Sequence, residues 1–151
     1  MNDPIRPLFE LRGITKTYKV SQGLFSGSRP LHALRELSLQ INRGEVLGLV
    51  GESGCGKSTL AKILLRLETP TSGELLFDGR PFTGIGIKAF SEIVQPIFQD
   101  PYSSLNPRKT IRQIVEMPLV VHGNRDKKDR RTRVERMLAL MALPSRMLNV
   151  Y

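Results

Sequence analysis

Nine consecutive residues constrain this chain more than any others: Gly51-Glu52-Ser53-Gly54-Cys55-Gly56-Lys57-Ser58-Thr59, which fits G-x-x-x-x-G-K-[ST] without a gap. The flanks give the pattern its meaning. Val46-Leu47-Gly48-Leu49-Val50 is a short continuous apolar run, as a parallel strand covered on both faces would be, and it predicts a central strand at 46–50. Beyond the loop, Leu60, Ile63, Leu64 and Leu67 recur at helical spacing until Thr69-Pro70-Thr71-Ser72-Gly73 ends the helix. A backbone that wraps a small anion must turn its N–H groups inward where side chains would obstruct, and Gly51, Gly54 and Gly56 supply that freedom. The first helical turn adds unpaired N–H groups and the positive end of the dipole. Lys57 is then expected to reach the β- and γ-phosphates of a nucleotide, and Ser58 to offer its hydroxyl to a bridging Mg²⁺. Cys55 occupies a position the pattern leaves free and reads as a small, passive residue.

Elsewhere the apolar spacing changes. Phe9 and Leu11, then Leu37, Leu39 and Ile41, alternate with polar residues at the period of half-buried strands and predict an antiparallel pair. The Gly, Ser and Pro of residues 22–30 predict a surface loop inserted on that hairpin. Leu75-Leu76-Phe77 before Asp78-Gly79 predicts a strand entering a turn, and Ile93-Val94 with Ile97-Phe98 a further buried strand, within 92–98, interrupted by Pro96. Thr110 with Gln113 makes a capping-box pattern for a helix limited by Pro118. A last helix is expected over about 126–143, with Val134, Met137, Leu138 and Met141 as its apolar stripe.

Composition narrows the class. At 151 residues, 40% hydrophobic and 25% charged, the chain is sized and composed for one folded domain rather than a disordered segment. A single cysteine allows no internal disulfide, no Cys/His cluster has zinc-ligand spacing, and a reducing compartment follows. No run approaches the roughly 18–20 apolar residues of a membrane-spanning helix. The net charge of +9 suits anionic partners without choosing among them. Residues 125–136 hold seven basic side chains against three acidic ones, yet no aromatic is interleaved for base stacking; a solvated helix face is expected there, and no nucleic acid.

The residues so far resemble the ATP-binding subunits of ABC transporters, and among them the dipeptide/oligopeptide importer group. Gly44-Glu45, the loop itself, Thr71-Ser72-Gly73-Glu74 and Asp78-Gly79 are similar to that family. The group-level likeness lies in Ile97-Phe98-Gln99-Asp100-Pro101-Tyr102-Ser103-Ser104-Leu105-Asn106-Pro107-Arg108. The resemblance implies an α/β fold: a P-loop NTPase core of parallel sheet and helices, an N-terminal antiparallel β-subdomain and the start of a helical subdomain. Residues 1–98 would form the β-subdomain and core, and 99–151 the Q-loop and helical part. It implies ATP and Mg²⁺ as ligands, held by Gly51, Glu52, Ser53, Gly54, Cys55, Gly56, Lys57, Ser58 and Thr59. Gln99 matches the Q-loop glutamine that approaches Mg²⁺ and the attacking water, so Lys57 and Gln99 carry the catalytic assignments and Ser58 and Gln99 the metal ones. Tyr18 matches the aromatic that stacks on adenine.

The implied function is ATP hydrolysis that energises import of dipeptides, oligopeptides or similar solutes. Implied partners are integral-membrane permease subunits, a second ATP-binding subunit and, indirectly, a solute-binding protein, at the cytoplasmic face of the bacterial inner membrane. The Leu-Ser-Gly-Gly-Gln signature, the acidic strand end and the γ-phosphate-sensing histidine do not occur in these residues, and His32 and His122 read as surface histidines. A partial sequence of a longer subunit is therefore expected, one that binds nucleotide better than it cleaves it. The alternatives are a catalytically inactive nucleotide-binding fragment and another P-loop NTPase or phosphotransferase.

Overall fold

The computed structural model describes residues 6–21 and 27–151. The chain divides into two compact units, Met1–Gln95 and Pro96–Tyr151.

The first unit is built on a four-stranded antiparallel sheet. Strand β1 (Phe9–Ser21) pairs with β2 (Ser28–Ile41) from Phe9↔Ile41 to Ser21↔Ser28, and its other edge pairs with β3 (Ser72–Phe77). The short β4 (Arg80–Pro81) completes the order β2-β1-β3-β4. Alternation in β1 sends Phe9 and Leu11 into the core, as their spacing predicts, and a register irregularity between Leu11 and Ile14 brings Ile14 to the same core. Asp78 and Gly79 both have positive φ, 52° and 71°, the backbone of the tight turn whose twist matches a β3–β4 hairpin. Of the expected loop at 22–30, Ser28, Arg29 and Pro30 belong to β2, and residues 22–26 lie outside the described residues.

One face of the sheet is covered by helices α1 (Lys57–Leu64) and α2 (Ile87–Ile93). Leu60 and Ile63 of α1 share one core cluster with Ile14 and Leu34 of the sheet and with four phenylalanines from four places in the chain. Phe9 meets Phe77 edge-on at 5.0 Å, Phe82 meets Phe90 at 5.0 Å, and Phe77 meets Phe90 at 5.4 Å between ring centroids.

Two expected strands are absent. Residues 46–50 join no sheet, and Val46 and Val50 are 98% and 94% exposed. A parallel strand needs hydrogen-bonding neighbours, and none lies beside this run among the described residues. Within 92–98, Ile93 ends α2, and Val94 to Phe98 carry no regular structure. Helix formation by Ile87–Ile93 takes up the residues that would begin that strand, and Pro96 removes a ladder donor from its middle.

The second unit is helical: α3 (Ile111–Val121), α4 (Lys127–Leu140) and a 3-10 turn at Ser145–Asn149. The capping box forms as its pattern predicts, with Thr110 Oγ1 accepting from Gln113 N at 3.4 Å and Gln113 Oε1 from Thr110 N at 3.0 Å. Pro118 does not limit this helix but lies within it. Ile111, Val115 and Leu119 form one stripe that spans the proline and packs against Val134, Leu138 and Leu148, so burial on both sides carries the helix past one missing bond. In α4 the apolar stripe is narrower than expected. Val134 and Leu138 are buried, while Met137 at the edge of the stripe and Met141 at the C-cap are exposed.

Candidate phosphate-binding site

The loop at 51–59 owes its course to Gly56 and Lys57. Gly56 caps α1 with φ 101° and ψ 1°, a left-handed conformation, and it lies against β2 so closely that a Cβ would stand 2.4 Å from Ala33 O and 2.8 Å from Leu34 Cδ2. Lys57 opens α1 and folds its ammonium back over the loop. Its Nζ donates to Gly51 O and to Glu52 O, each at 2.6 Å, and lies 3.5 Å from Cys55 Sγ. A compact cation with three donors can exchange such carbonyls for phosphate oxygens while keeping its place. A Cβ on residue 51 would meet Cys55 Sγ at 2.7 Å, so the cradle is closed on that side by Cys55.

The helix supplies the second half of an anion site. The N-cap of α1 makes no side-chain hydrogen bond, and its first turn holds no acidic residue, so its leading N–H groups and dipole are not offset by a carboxylate. The Ser58 hydroxyl is exposed beside Lys57 and has no protein partner among the described residues. Loop, lysine, hydroxyl and helix end thus form one positively biased, solvent-facing cradle. Ser53, Gly54 and Cys55 are exposed along its rim, and Thr59 is half-buried behind it.

The sequence patterns did not reveal the wall beside this rim. Gly54 and Cys55 share a groove of about 360 Å³ with His32, Ala33, Leu34 and Arg35 of β2. His32 is exposed, as expected of a surface histidine, and its Nδ1 is 3.0 Å from Thr17 Oγ1, directly across the β1–β2 ladder. Only the pairing of Thr17 with His32, 15 residues apart, places that ring beside the loop.

Tyr18 follows Thr17 in β1, pairs with Leu31 and is half-buried. The Lys16 ammonium lies 5.0 Å from the centre of its ring, an arrangement the π-face favours. That ammonium also donates to Thr69 O at 2.7 Å and reaches Glu68 at 2.8 Å. The hydrogen bond from Lys16, aided by the charges of Lys16 and Lys62, holds the Glu68 carboxyl below the usual carboxylate range. A planar ligand on Tyr18 would use the ring surface that Lys16 leaves open.

Gln99 belongs to the second unit, where it is exposed in a bend. The turn after it is fixed by Asp100, whose Oδ1 accepts from Tyr102 N at 3.1 Å and Ser103 N at 3.4 Å, and whose carbonyl accepts from the Ser103 and Ser104 hydroxyls. Asn106 Oδ1 repeats the device by accepting from Arg108 N at 2.9 Å. The basic helix α4 neutralises part of its own charge through Arg131–Glu135 and Arg133–Asp129, both at 2.8 Å and one helical turn apart. Among the described residues no helix is long and apolar enough to cross a membrane.

Comparison with known proteins places these features in a family. Residues 34–150 match the family described as ABC transporter. The dipeptide transport ATP-binding protein DppF of Haemophilus influenzae is 41% identical over 148 residues, covering 96% of this chain and 45% of that protein. The nickel import ATP-binding protein NikE of Brucella suis is 41% identical over 140 residues, covering 91% of this chain and 52% of the relative. The chain thus spans about half the length of the curated relatives it matches. A dimeric ATP-binding cassette solved in a post-hydrolysis state with ADP and Pi aligns with a TM-score of 0.70 at 30% identity, over 93% of this chain and 60% of that one. The α/β fold class expected from the sequence is therefore the one its structural neighbours have.

Proposed function

Because the chain belongs to the ABC transporter family, we propose that residues 51–59 hold the triphosphate of ATP, and that the longer protein hydrolyses ATP to energise import of dipeptides, oligopeptides or similar solutes through a membrane permease. The observation that carries this reading is the Lys57 ammonium, held by Gly51 O and Glu52 O over the glycine-rich loop. Lys57 and the α1 N–H groups bind and orient the phosphates. Tyr18 takes the adenine ring, and the groove beside His32 is open to the nucleoside end. The free hydroxyl of Ser58 fits a Mg²⁺ ligand, with Gln99 assigned as the second; the ion supplies charge neutralisation at the β- and γ-oxygens.

The protein is assigned to the cytoplasmic face of the membrane, with permease subunits, a second ATP-binding subunit and a solute-binding protein as partners. In this reading residues 1–98 are the β-subdomain and nucleotide core, and 99–151 carry the Q-loop and the first helices of the helical subdomain. The nickel-import relative is as similar as the dipeptide-transport one, so the solute is set mainly outside these residues. Nucleotide binding without turnover is a second reading for residues 1–151 taken alone. One lysine and a loop do not orient the attacking water or neutralise the whole transition-state charge.

Calorimetric titration of Mg-ATP into the protein and its Lys57→Ala variant tests the site. Loss of at least about tenfold in affinity is expected, the scale of a charge-assisted contact to phosphate. Unchanged affinity would overturn the loop assignment. ATP turnover measured with and without the membrane subunits separates a transport ATPase from another P-loop enzyme.

A further inference from the structure

The groove of about 360 Å³ beside the phosphate loop has one wall from the loop, Gly54 and Cys55, and one from β2, where His32, Ala33 and Arg35 line it. No carboxylate stands among the described residues that line it, and Arg35 adds a positive charge, so the wall favours a ligand that carries phosphates. His32 brings a ring with two unlike nitrogens. Its Nδ1 is committed to the Thr17 hydroxyl, 3.0 Å away across the β1–β2 ladder, a contact that orients the ring and sets its tautomer. Thr17 is itself held in place, its N donating to Thr71 Oγ1 at 3.0 Å. Nε2, by contrast, has no partner among the described residues, and the side chain is exposed.

In a nucleotide the sugar is joined directly to the phosphates, so a ligand whose phosphates lie on residues 51–59 meets a groove bordered by Gly54 and Cys55 with its sugar before its base. A sugar hydroxyl both donates and accepts, and it therefore satisfies Nε2 whichever tautomer the Thr17 contact sets. Resting on the reading of residues 51–59 as the triphosphate site, we propose that His32 is a specificity-determining residue for the nucleotide: its Nε2 hydrogen-bonds a ribose hydroxyl, and Thr17 is the positioning residue that aims the ring.

The test is calorimetric titration of the full-length protein and its His32→Ala variant, a change at an exposed position, with the magnesium complexes of ATP, 2′,3′-dideoxy-ATP and inorganic triphosphate. The dideoxy analogue keeps the base, so stacking on Tyr18 is common to both nucleotides. The parent should bind ATP about fivefold tighter than the dideoxy analogue, the scale of one hydrogen bond. His32→Ala should bind both as the parent binds the analogue, with its affinity for triphosphate unchanged. Thr17→Val, which removes the hydroxyl and keeps the branched shape, should shrink the parent's preference; an unchanged ratio overturns the positioning role. Equal binding of the two nucleotides by the parent, or a preference that survives in His32→Ala, overturns the ribose contact while leaving the loop assignment standing. A matching loss of triphosphate in His32→Ala also overturns it, because the side chain would then act on the loop. Failure of triphosphate to bind the parent overturns the loop reading itself, and this proposal with it.

Discussion

Gly56 and Ala33 meet backbone to backbone: a Cβ on residue 56 would stand 2.4 Å from the Ala33 carbonyl oxygen. The phosphate loop is therefore set against β2, and the antiparallel sheet fixes where α1 begins. Gly56→Ala would bring both this clash and a left-handed φ of 101° that side chains resist. A loss of about 2–3 kcal/mol is expected from strain at such a position, together with weaker ATP binding. Chemical denaturation alongside calorimetry measures both, and a variant of parental stability would place the strain elsewhere.

Tyr18→Ala should weaken ATP more than inorganic triphosphate, because only ATP brings a ring to the aromatic face. Base–aromatic stacking is worth about 1–3 kcal/mol, so a loss of roughly tenfold or more for ATP is expected, with little change for triphosphate. Competition titrations with the two ligands provide the comparison. Equal losses would show that Tyr18 acts through the sheet rather than through the base.

Phe90 touches Phe9, Phe77 and Phe82 edge-on and is 3% exposed. Phe90→Ala should cost about 3–5 kcal/mol, the range for an aromatic removed from a packed core. Phe90→Leu, which keeps most of the apolar contact, should cost clearly less. Urea unfolding midpoints of the two variants would contradict this packing if their losses were equal.

Acid should destabilise the protein in a defined window. Hydrogen bonds from Arg12 to Glu10, from Lys16 to Glu68 and from Asn124 to Asp129 each hold the carboxyl below its ordinary value. The folded state therefore keeps these groups ionised at a pH where the unfolded chain has begun to take up protons. Their contribution is complete above the unfolded values, near about pH 4–4.5, and is lost as pH falls through the lower folded ones. Glu68→Gln should flatten part of that fall when melting temperatures are followed from about pH 6 to pH 3. An unchanged slope would remove the Lys16–Glu68 pair from the account.

Local interactions were the ones legible in the sequence. The Thr110–Gln113 capping box closes over three residues, and the turn at Asp78-Gly79 depends on the conformations of those two residues. Alternation in β1 and β2 was readable because the two strands pair with each other across one short connection. Residues 46–50 show the limit: a continuous apolar run announces that something should cover it, but not whether the covering strands are at hand. Pro118 misled for a similar reason, since the stripe that carries α3 past it is completed by Val134, Leu138 and Leu148 from later in the chain. The cradle itself could be read from nine residues, but the groove beside it needed the Thr17–His32 pairing.

The proline inside α3 gives that helix two unequal halves. The N-terminal half is anchored twice at its start, by the capping box and by Ile111 N donating to Val150 O at 2.9 Å. Pro118 has no N–H to offer Ile114, and the residues beyond it are tied by His122 N to Pro118 O and Asn124 N to Leu119 O. Fraying can therefore begin at Val121 and stop at the gap, so amide protons from Leu119 onward exchange with solvent through openings that leave Ile114 and Val115 protected.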